Sequence, residues 1–387
     1  MLKVGFVGWR GMVGSVLMSR MKDENDFSNI SPAFFSTSQA GQTAKGFIGE
    51  FGTLQDAHSI QSLSKMDIIL SCQGGEYTQE IHPKLRASGW DGFWIDAAST
   101  LRLADNSTLV LDPLNHENIK TAIKDGKKDF VGCNCTVSLM SLAIAGLLQE
   151  DLVEWVNSST YQAISGSGAA AMQELLEQSK LLNDVDNSNL DILTREKKLR
   201  KLSKDADIIP QLKTTKTLAY NLLPWIDVAM ENGQTKEEYK AATELNKILA
   251  TKEYIPVDGI CVRVPSLRSH SQALTIKLKQ KLSIEEISKK IAKGNEWVKV
   301  INNNKPETLE KLTPQATSGT LDIAIGRIKA SLIADDIFHC FTVGDQLLWG
   351  AAEPLRRVLN IIRKEIPTNS QKKEKNKTLK ETQMSLL

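Results

Sequence analysis

The chain has 387 residues, 41% of them hydrophobic and 24% charged, which indicates a soluble globular protein of two or three domains. No membrane-length apolar stretch and no signal-peptide pattern is evident, and five cysteines suit a reducing compartment, so we expect a cytoplasmic protein without membrane contact. The net charge of +2 combines a lysine-rich tail with a slightly acidic body, which argues against a nucleic-acid-binding protein.

Short apolar runs alternate with helical patterns over about the first 130 residues. This alternation predicts an α/β fold with a Rossmann-type, doubly wound parallel sheet. Strands are predicted at residues 2–7, 33–35, 67–70, 93–95, 109–111 and 130–131, and the first helix at 13–21.

The rest of the chain predicts a second, mixed α+β domain. Residues 136–148 are nearly all apolar or small, which indicates a buried helix. Strands are predicted at residues 154–164, 255–264, 271–278 and 321–328, with a helix at 169–182. A last helical pattern at 348–362 is expected to start or bend at Pro354, and the residues from 367 onwards are predicted to be disordered.

Three glycines lie between the first strand and the first helix: Gly8, Gly11 and Gly14. A dinucleotide pyrophosphate rests at this point of a Rossmann fold, although a tight turn without a ligand remains an alternative. Residues 36–39 contain no acid, and their hydroxyls and free backbone N–H groups, together with Arg10, favour NADP over NAD. The alternative at 36–39 is a serine turn that caps the next element.

Cys135 follows a predicted strand and precedes the buried helix. The helix dipole favours a thiolate there, and the Asn134 amide can donate to an oxyanion. A thiolate beside a nicotinamide cofactor implies an aldehyde that is oxidised to a thioester. Many cysteines are only small core residues, and we assign Cys72, Cys261 and Cys340 to that class.

This chemistry requires an acid or base, and the chain has five histidines. His58, His82 and His116 lie in stretches with a surface-like pattern, and His339 lies in an apolar strand. His270 opens a strand and is the best candidate.

The chain resembles the bacterial aspartate-semialdehyde dehydrogenase family over about residues 1–363. The resemblance rests on residues 8–15, 71–75 and 134–136, on Arg263 with His270 seven residues later, and on residues 343–351. It implies reversible interconversion of L-aspartate 4-semialdehyde, phosphate and NADP⁺ with 4-phospho-L-aspartate and NADPH. The reductive direction serves lysine, diaminopimelate, methionine, threonine and isoleucine biosynthesis.

The same resemblance implies a division of the chain. Residues 1–133 with 350–363 would bind NADP, 134–349 would carry catalysis and the contact of a homodimer, and 364–387 would be a basic tail outside the family fold.

The resemblance also assigns roles to residues. Catalysis falls to Cys135 as nucleophile and His270 as acid/base, with Gln162 and Asn134 beside them. The substrate residues are Arg263 for the carboxylate, Glu237 for the ammonium, Lys240 and Arg102 for phosphate, and Gln162. The NADP residues are Gly8, Arg10, Gly11, Met12, Val13, Thr37, Ser38, Gln73, Ser165, Gly166 and Gln346, and no metal is implied.

Alternatives remain open from the residues alone. Glu237 and Lys240 have the spacing of a solvated helix pair. Arg102 fits a surface-loop arginine, and Arg263 fits a strand-edge cation. An N-acetyl-glutamyl-phosphate reductase would share the cysteine and the histidine but would have little use for Glu237. A non-catalytic NADP-binding regulatory protein is the alternative of another class.

Overall fold

A computed structural model describes residues 1–43, 52–184, 190–211, 213–214 and 216–366. The chain forms two compact units. The first contains Met1–Trp9, Met18–Val131 and the chain from Pro354, and the second contains Arg10–Leu17 and Gly132–Glu353. In these described ranges no helix combines the length and the apolar character needed to cross a membrane. The predicted disordered tail from residue 367 lies outside the described residues.

The described residues up to Gly132 alternate strands with helices, as predicted. The strands are β1 (Leu2–Val7), β2 (Ile30–Ser36), β3 (Gln55–Asp56), β4 (Ile68–Ser71), β5 (Phe93–Asp96), β6 (Ser107–Val110) and β7 (Asp129–Gly132). The helices are α1 (Met12–Asp23), α2 (Ile60–Leu63), α3 (Gly75–Ala87) and α4 (Asp112–Lys124). Strand β3 has only two residues and carries no apolar run, so the sequence pattern missed it.

The first sheet has the strand order β3-β2-β1-β4-β5-β7-β6. Every pairing from β3 across to β7 is parallel, which confirms the predicted doubly wound sheet. The chain runs outward in both directions from β1, so the carboxyl ends of β1, β2 and β4 meet at the switch point of the sheet. Ligands of such sheets bind at this point.

The second sheet is mixed, which confirms the other half of the fold prediction. Its strands are β8 (Val153–Ala163), β9 (Val257–Asp258), β10 (Cys261–Val264), β11 (His270–Leu278), β12 (Val298–Val300), β13 (Ile323–Ala330) and β14 (Ile337–Gly344). The order is β10-β8-β11-β14-β13-β12, with β9 beside β8. The pairs β8–β11, β11–β14 and β14–β13 are antiparallel, whereas β10 and β9 are parallel to β8 and β12 is parallel to β13.

Further helices follow β7 in the described chain, and the last of them closes it. They are α5 (Cys135–Ala143), α6 (Ala145–Gln149), α7 (Ala169–Asp184), α8 (Ile192–Leu202), α9 (Lys236–Leu249), α10 (Ile284–Lys293), α11 (Lys305–Lys311), α12 (Pro314–Thr317) and α13 (Glu353–Glu365). A π-helical turn at Leu348–Ala352 precedes α13, so the final helix starts beside Pro354, as predicted.

Two predicted elements are interrupted. The helix predicted at 136–148 breaks at Ile144, whose ψ of 19° is not helical, and continues as α6. The strand predicted at 255–264 breaks at Gly259, which has a φ of +154°. A Cβ on Gly259 would lie 2.1 Å from the carbonyl oxygen of Ser158, so close backbone approach requires glycine there.

Candidate active site

Cys135 is the first residue of α5, and Asn134 caps that helix. The Asn134 side-chain oxygen accepts hydrogen bonds from the Thr136 and Val137 N–H groups at 2.9 and 3.3 Å. The Cys135 side chain is half-buried. Because the thiol lies at the positive end of the nine-residue helix α5, the helix dipole favours its thiolate form.

Gly350 packs directly on this cysteine. A Cβ at position 350 would lie 2.6 Å from the Cβ of Cys135 and 3.0 Å from its Cα. Any side chain at position 350 would therefore displace the nucleophile.

Glu237, near the start of α9, joins several of the candidate residues. It is only 6% exposed. Its Oε1 accepts hydrogen bonds from Asn134 Nδ2 at 3.0 Å and Gln162 Nε2 at 3.3 Å, and its Oε2 accepts one from Lys240 Nζ at 2.9 Å. The solvated helix pair is therefore wrong as an interpretation of Glu237 and Lys240.

Charge pairing keeps this cluster ionised. Burial alone would raise the pKa of Glu237, but the Lys240 charge and the donated hydrogen bonds outweigh it and lower that pKa. Burial would lower the pKa of Lys240, but Glu237 and Asp227 raise it. Lys240 Nζ donates to Asp227 Oδ2 at 2.8 Å, so two carboxylates hold the ammonium in place.

Arg263 lies next to Gln162, because β10 pairs with β8 at these two residues. Strand β10 lies at the edge of the second sheet, but the Arg263 side chain is buried, and Nη1 donates to the Ala163 carbonyl at 2.7 Å. Burial lowers the pKa of Arg263, and the charges of Cys135 and Glu237 oppose that shift. The guanidinium therefore lies within electrostatic range of both the nucleophile and the acidic cluster.

His270 opens β11 and is 1% exposed. Its Nδ1 accepts a hydrogen bond from the Ala163 N–H at 3.0 Å, so the neutral ring carries its proton on Nε2. Nε2 is buried and has no hydrogen-bond partner in the described structure. Burial, assisted by the Arg263 charge, lowers the pKa of His270 to about 3. The residue is a neutral hydrogen-bond donor at physiological pH.

This histidine links folding stability to pH. Between its folded pKa of about 3 and its ordinary value of 6.5 the unfolded chain binds the extra proton, so acid favours unfolding. We expect the contribution of neutral His270 to the free energy of unfolding to be complete above pH 6.5 and to weaken as the pH falls towards 3. At about pH 5 the free energy of unfolding should be lower by about 2 kcal/mol. Thermal unfolding midpoints should therefore fall less between these pH values in His270→Asn than in the unchanged protein.

A matched control for this pH series is His339→Asn, which removes a half-buried histidine of the same sheet. Because the pKa of His339 is also lowered, its own contribution has to be measured separately. Parallel slopes for the unchanged protein and His270→Asn would contradict the linkage.

Of the three cysteines assigned to the core class, Cys261 and Cys340 are buried and Cys72 is half-buried. Burial raises the pKa values of Cys261 and Cys340 to about 12 and raises that of Cys72 as well, so their thiols stay protonated. The surface prediction for His82 is wrong, because it is 8% exposed and its Nε2 lies 2.9 Å from Asp129 Oδ1. Its helix buries one face on the sheet, which the mixed composition of that helix did not reveal.

The predicted cofactor residues of the first sheet lie at its switch point. Gly8 follows β1 with a φ of +71°, and a Cβ there would lie 2.6 Å from the Gln73 backbone nitrogen. Thr37 and Ser38 follow β2 and are exposed. Helix α1 has no acid in its first turn. An acid at that position would repel a phosphate. These features fit a dinucleotide.

One detail of the cofactor argument is wrong. The backbone N–H groups of Ser38 and Gln39 are not free, because both donate to the Ser36 hydroxyl, at 3.3 and 3.0 Å. Ser36 therefore forms the serine turn considered as the alternative at this position. The exposed hydroxyls of Thr37 and Ser38 remain available for a ribose phosphate.

Other expected ligand residues are distributed over both units. Ser165, Gly166 and Gln346 belong to the second unit, as do residues 10–13, whereas Arg102 belongs to the first, beyond β5. A Cβ on Gly166 would lie 2.9 Å from Arg263 Nη1 and 3.4 Å from His270 Nε2. Gly166 therefore lies directly beside the candidate catalytic residues.

Sequence reasoning missed two acids of the site. Asp227 lies in a loop without a recognisable pattern and pairs with Lys240. Glu244 is 1% exposed and accepts the Asn134 N–H at 2.5 Å. Its spacing of seven residues from Glu237 on α9 was the available signal. Among the described residues, no group of histidine, cysteine or acidic side chains is placed to hold a metal ion.

Comparisons with known proteins agree with this architecture. Residues 3–122 match the family model described as "Semialdehyde dehydrogenase, NAD binding domain", and residues 144–349 match "Semialdehyde dehydrogenase, dimerisation domain". A solved structure named aspartate semialdehyde dehydrogenase from Francisella tularensis is 78% identical with a TM-score of 0.93, and the match covers 94% of this chain and 100% of that one.

More distant structures share the fold. Aspartate semialdehyde dehydrogenase II from Vibrio cholerae, complexed with ASA, is 22% identical with a TM-score of 0.79, covering 94% of this chain and 98% of that one. Aspartate semialdehyde dehydrogenase with NADP from Candida albicans is 16% identical with a TM-score of 0.64, covering 95% and 100%. With its two matched domains and its 78% identical relative, the chain belongs to the aspartate-semialdehyde dehydrogenase family, NAD(P)-dependent oxidoreductases that act on an aldehyde.

Proposed function

We propose that this chain oxidises L-aspartate 4-semialdehyde reversibly to 4-phospho-L-aspartate with phosphate and NADP. Its proposed cellular direction is reductive, in the biosynthesis of lysine, diaminopimelate, methionine, threonine and isoleucine. The observation that carries the proposal is the position of Cys135 at a helix N-terminus, beside Asn134, whose amide is bonded to a buried acid. The 78% identical relative bears the name of this activity, and the Vibrio structure was solved with ASA.

Cys135 supplies the covalent step. Its thiolate adds to the aldehyde carbon, forming a C–S bond, while the carbonyl electron pair moves to oxygen. Loss of the aldehyde hydrogen as hydride leaves a thioester, and attack by a phosphate oxygen breaks the C–S bond and releases the acyl phosphate. A bound nicotinamide cofactor supplies the hydride acceptor, or the donor in the reverse direction.

The charged side chains match the substrate. Glu237 is the proposed partner of the substrate ammonium, and the planar fork of Arg263 suits the α-carboxylate. Lys240 and Arg102 are assigned to phosphate. Gln162 lies between Glu237 and Arg263, since it donates to the first and pairs in register with the second. We therefore assign it to orienting a thioester between the two charges.

His270 is the proposed acid/base group, and its tautomer constrains how it acts. With Nδ1 engaged by the Ala163 N–H, the Nε2–H donates a hydrogen bond and can stabilise the substrate oxyanion. To accept a proton at Nε2, the ring must first carry its proton on Nδ1, which displaces the Ala163 N–H. The second amide hydrogen of Asn134 is the other donor that we assign to the oxyanion.

NADP is the proposed cofactor form. Exposed Thr37 and Ser38 hydroxyls follow β2, where an NAD enzyme usually carries an acid for the ribose hydroxyls. Exposed Arg10 offers a positive charge for the 2′-phosphate. A distant relative of the same fold was solved with NADP. We assign residues 1–133 with 350–363 to this cofactor and residues 134–349 to catalysis.

A cytoplasmic homodimer is the proposed assembly. Residues 144–349 match a domain described as a dimerisation domain. Tyr161 and Phe341 share one face of the second sheet with ring centroids 6.1 Å apart, and Tyr161 is 39% exposed. Exposed aromatic rings on a sheet face suit contact with a second copy. Light scattering that returns the mass of one chain would contradict the dimer.

A direct assay tests the function. Reduction of NADP⁺ should be observed with L-aspartate 4-semialdehyde, and it should require phosphate because phosphate releases the acyl group from Cys135. We expect kcat/KM to be at least about tenfold higher with NADP⁺ than with NAD⁺, since the region after β2 lacks an acid. Absence of phosphate-dependent activity would overturn the function, whereas equal use of NAD⁺ would overturn only the cofactor assignment.

A further inference from the structure

The residue before His270 has an unusual backbone conformation. Ser269 has a φ of +69°, in the left-handed region that L-amino acids other than glycine seldom adopt, and it is 0% exposed. This turn leads directly into β11, whose first residue is His270. The direction in which the imidazole leaves the backbone therefore depends on a conformation that Ser269 would not adopt without support.

The support comes from residues that follow β14. Gln346 is 2% exposed, and its Oε1 accepts the Ser269 N–H at 2.8 Å. Its Nε2 donates to the Ser165 hydroxyl, one residue before Gly166. Because Gly166 lies against His270 Nε2, Gln346 ties together the two segments that flank the imidazole.

Asp345 fixes the preceding residue of the same turn. This carboxylate is 0% exposed and lies 2.8 Å from Arg268 Nε. It also accepts the Gly319 N–H at 2.6 Å and the Leu347 N–H at 2.9 Å. Two backbone N–H groups therefore hold the carboxylate, and the Arg268 charge lies beside it.

The Ser269 hydroxyl adds a further contact. It lies 2.8 Å from the Ser318 hydroxyl, which itself donates to the Pro314 carbonyl at 2.7 Å. Because the Ser318 proton is engaged, Ser269 is the donor of the pair. The backbone and the side chain of Ser269 are thus both bonded.

We propose that Gln346, assisted by Asp345, is a positioning residue that holds the left-handed turn at Ser269 and thereby orients the His270 imidazole. In this role Gln346 acts on the reaction through His270, in addition to any contact with the cofactor. The catalytic part of this inference rests on the proposed function, whereas the conformational part does not.

A double-mutant cycle separates turn support from cofactor contact. Gln346→Ala should lower kcat about 100-fold while changing KM for NADP⁺ less than about threefold. In the Gln346→Ala background, Ser269→Gly should raise kcat at least about tenfold, because glycine adopts a positive φ without support. A loss that appears mainly in KM for NADP⁺, or that glycine does not restore, would overturn the proposal.

Two further variants provide controls. Gln346→Glu keeps an acceptor for the Ser269 N–H and can accept a hydrogen bond from Ser165, so it should retain more kcat than Gln346→Ala. Ser318→Ala measures the hydroxyl contact that Ser269→Gly also removes. If Gln346→Glu is as impaired as Gln346→Ala, the acceptor is not what matters and the proposal fails.

Measurements without substrate test the conformational part of the proposal even if the proposed function is wrong. A crystal structure of Gln346→Ala should show Ser269 outside the left-handed region and the Ala163 N–H no longer bonded to His270 Nδ1. Thermal unfolding should show a lower midpoint for Gln346→Ala, with a larger gain from Ser269→Gly in that background than in the unchanged protein. An unaltered turn and imidazole in the variant would overturn the proposal regardless of the substrate.

Discussion

Replacement of Cys135 by alanine is expected to lower kcat for phosphate-dependent NADP⁺ reduction by at least about 10⁴-fold, because the sulfur that forms the thioester at the start of α5 is lost. The removed atom is a single sulfur of a half-buried residue. The variant should therefore keep its fold. Steady-state rates with L-aspartate 4-semialdehyde, together with circular dichroism and the binding of NADPH, measure the two effects separately.

The matched control is Cys340→Ala. Cys340 is 4% exposed in β14, and burial raises its pKa to about 12, so it supplies no thiolate. This control should keep kcat within about threefold of the unchanged protein. If Cys135→Ala retains its activity while Cys340→Ala loses it, the assignment of the nucleophile is wrong.

Conversion of Glu237 to glutamine is expected to raise KM for the amino-acid substrate about 30- to 100-fold, because a charge-assisted hydrogen bond to the ammonium is lost. KM for NADP⁺ should change less than about threefold, since Glu237 bonds to Asn134, Gln162 and Lys240 around the nucleophile. The lowered pKa of Glu237 keeps the carboxylate ionised throughout a neutral assay range. Separate titrations of the two substrates measure the difference.

Asp227→Asn supplies the comparison for Glu237→Gln. Asp227 is the other carboxylate on Lys240, and its replacement leaves the bonds from Asn134 and Gln162 to Glu237 in place. Its effect on KM for the amino-acid substrate should be smaller. An N-acetylated substrate, which has no ammonium, should be used poorly by the unchanged protein. Preferential use of that substrate, with no effect of Glu237→Gln, would support the N-acetyl-glutamyl-phosphate reductase alternative.

Most of the fold could be predicted from local patterns in the sequence. The apolar run at Leu2–Val7 and the glycines after it predicted the first strand, its turn and α1, because each signal lies within a few residues of its consequence. The break at Ile144 was not predictable, since residues on both sides are equally apolar. It coincides with the close approach of Gly146 to the Lys290 carbonyl on α10, a contact distant in sequence.

In the candidate site too, some residues could be predicted from local patterns, whereas others are defined only by contacts distant in sequence. Cys135 was found because a strand, a polar cap and an apolar helix are adjacent in the sequence. Glu237 and Lys240 have the local pattern of a solvated pair, and only contacts distant in sequence, such as the one from Asn134, 103 residues away, distinguish them. Family resemblance supplied these two residues. Asp227, whose role depends entirely on the position of Lys240, was supplied by neither route.

The cluster around the nucleophile has a consequence for how a substrate arrives. The charges of Glu237, Asp227, Lys240 and Arg263 sum to zero, so the fields of these four groups largely cancel at a distance. These four groups then contribute little long-range attraction for a charged ligand, and their screening by salt should alter the encounter rate only weakly. These four side chains therefore distinguish ligands of different charge mainly within hydrogen-bonding distance.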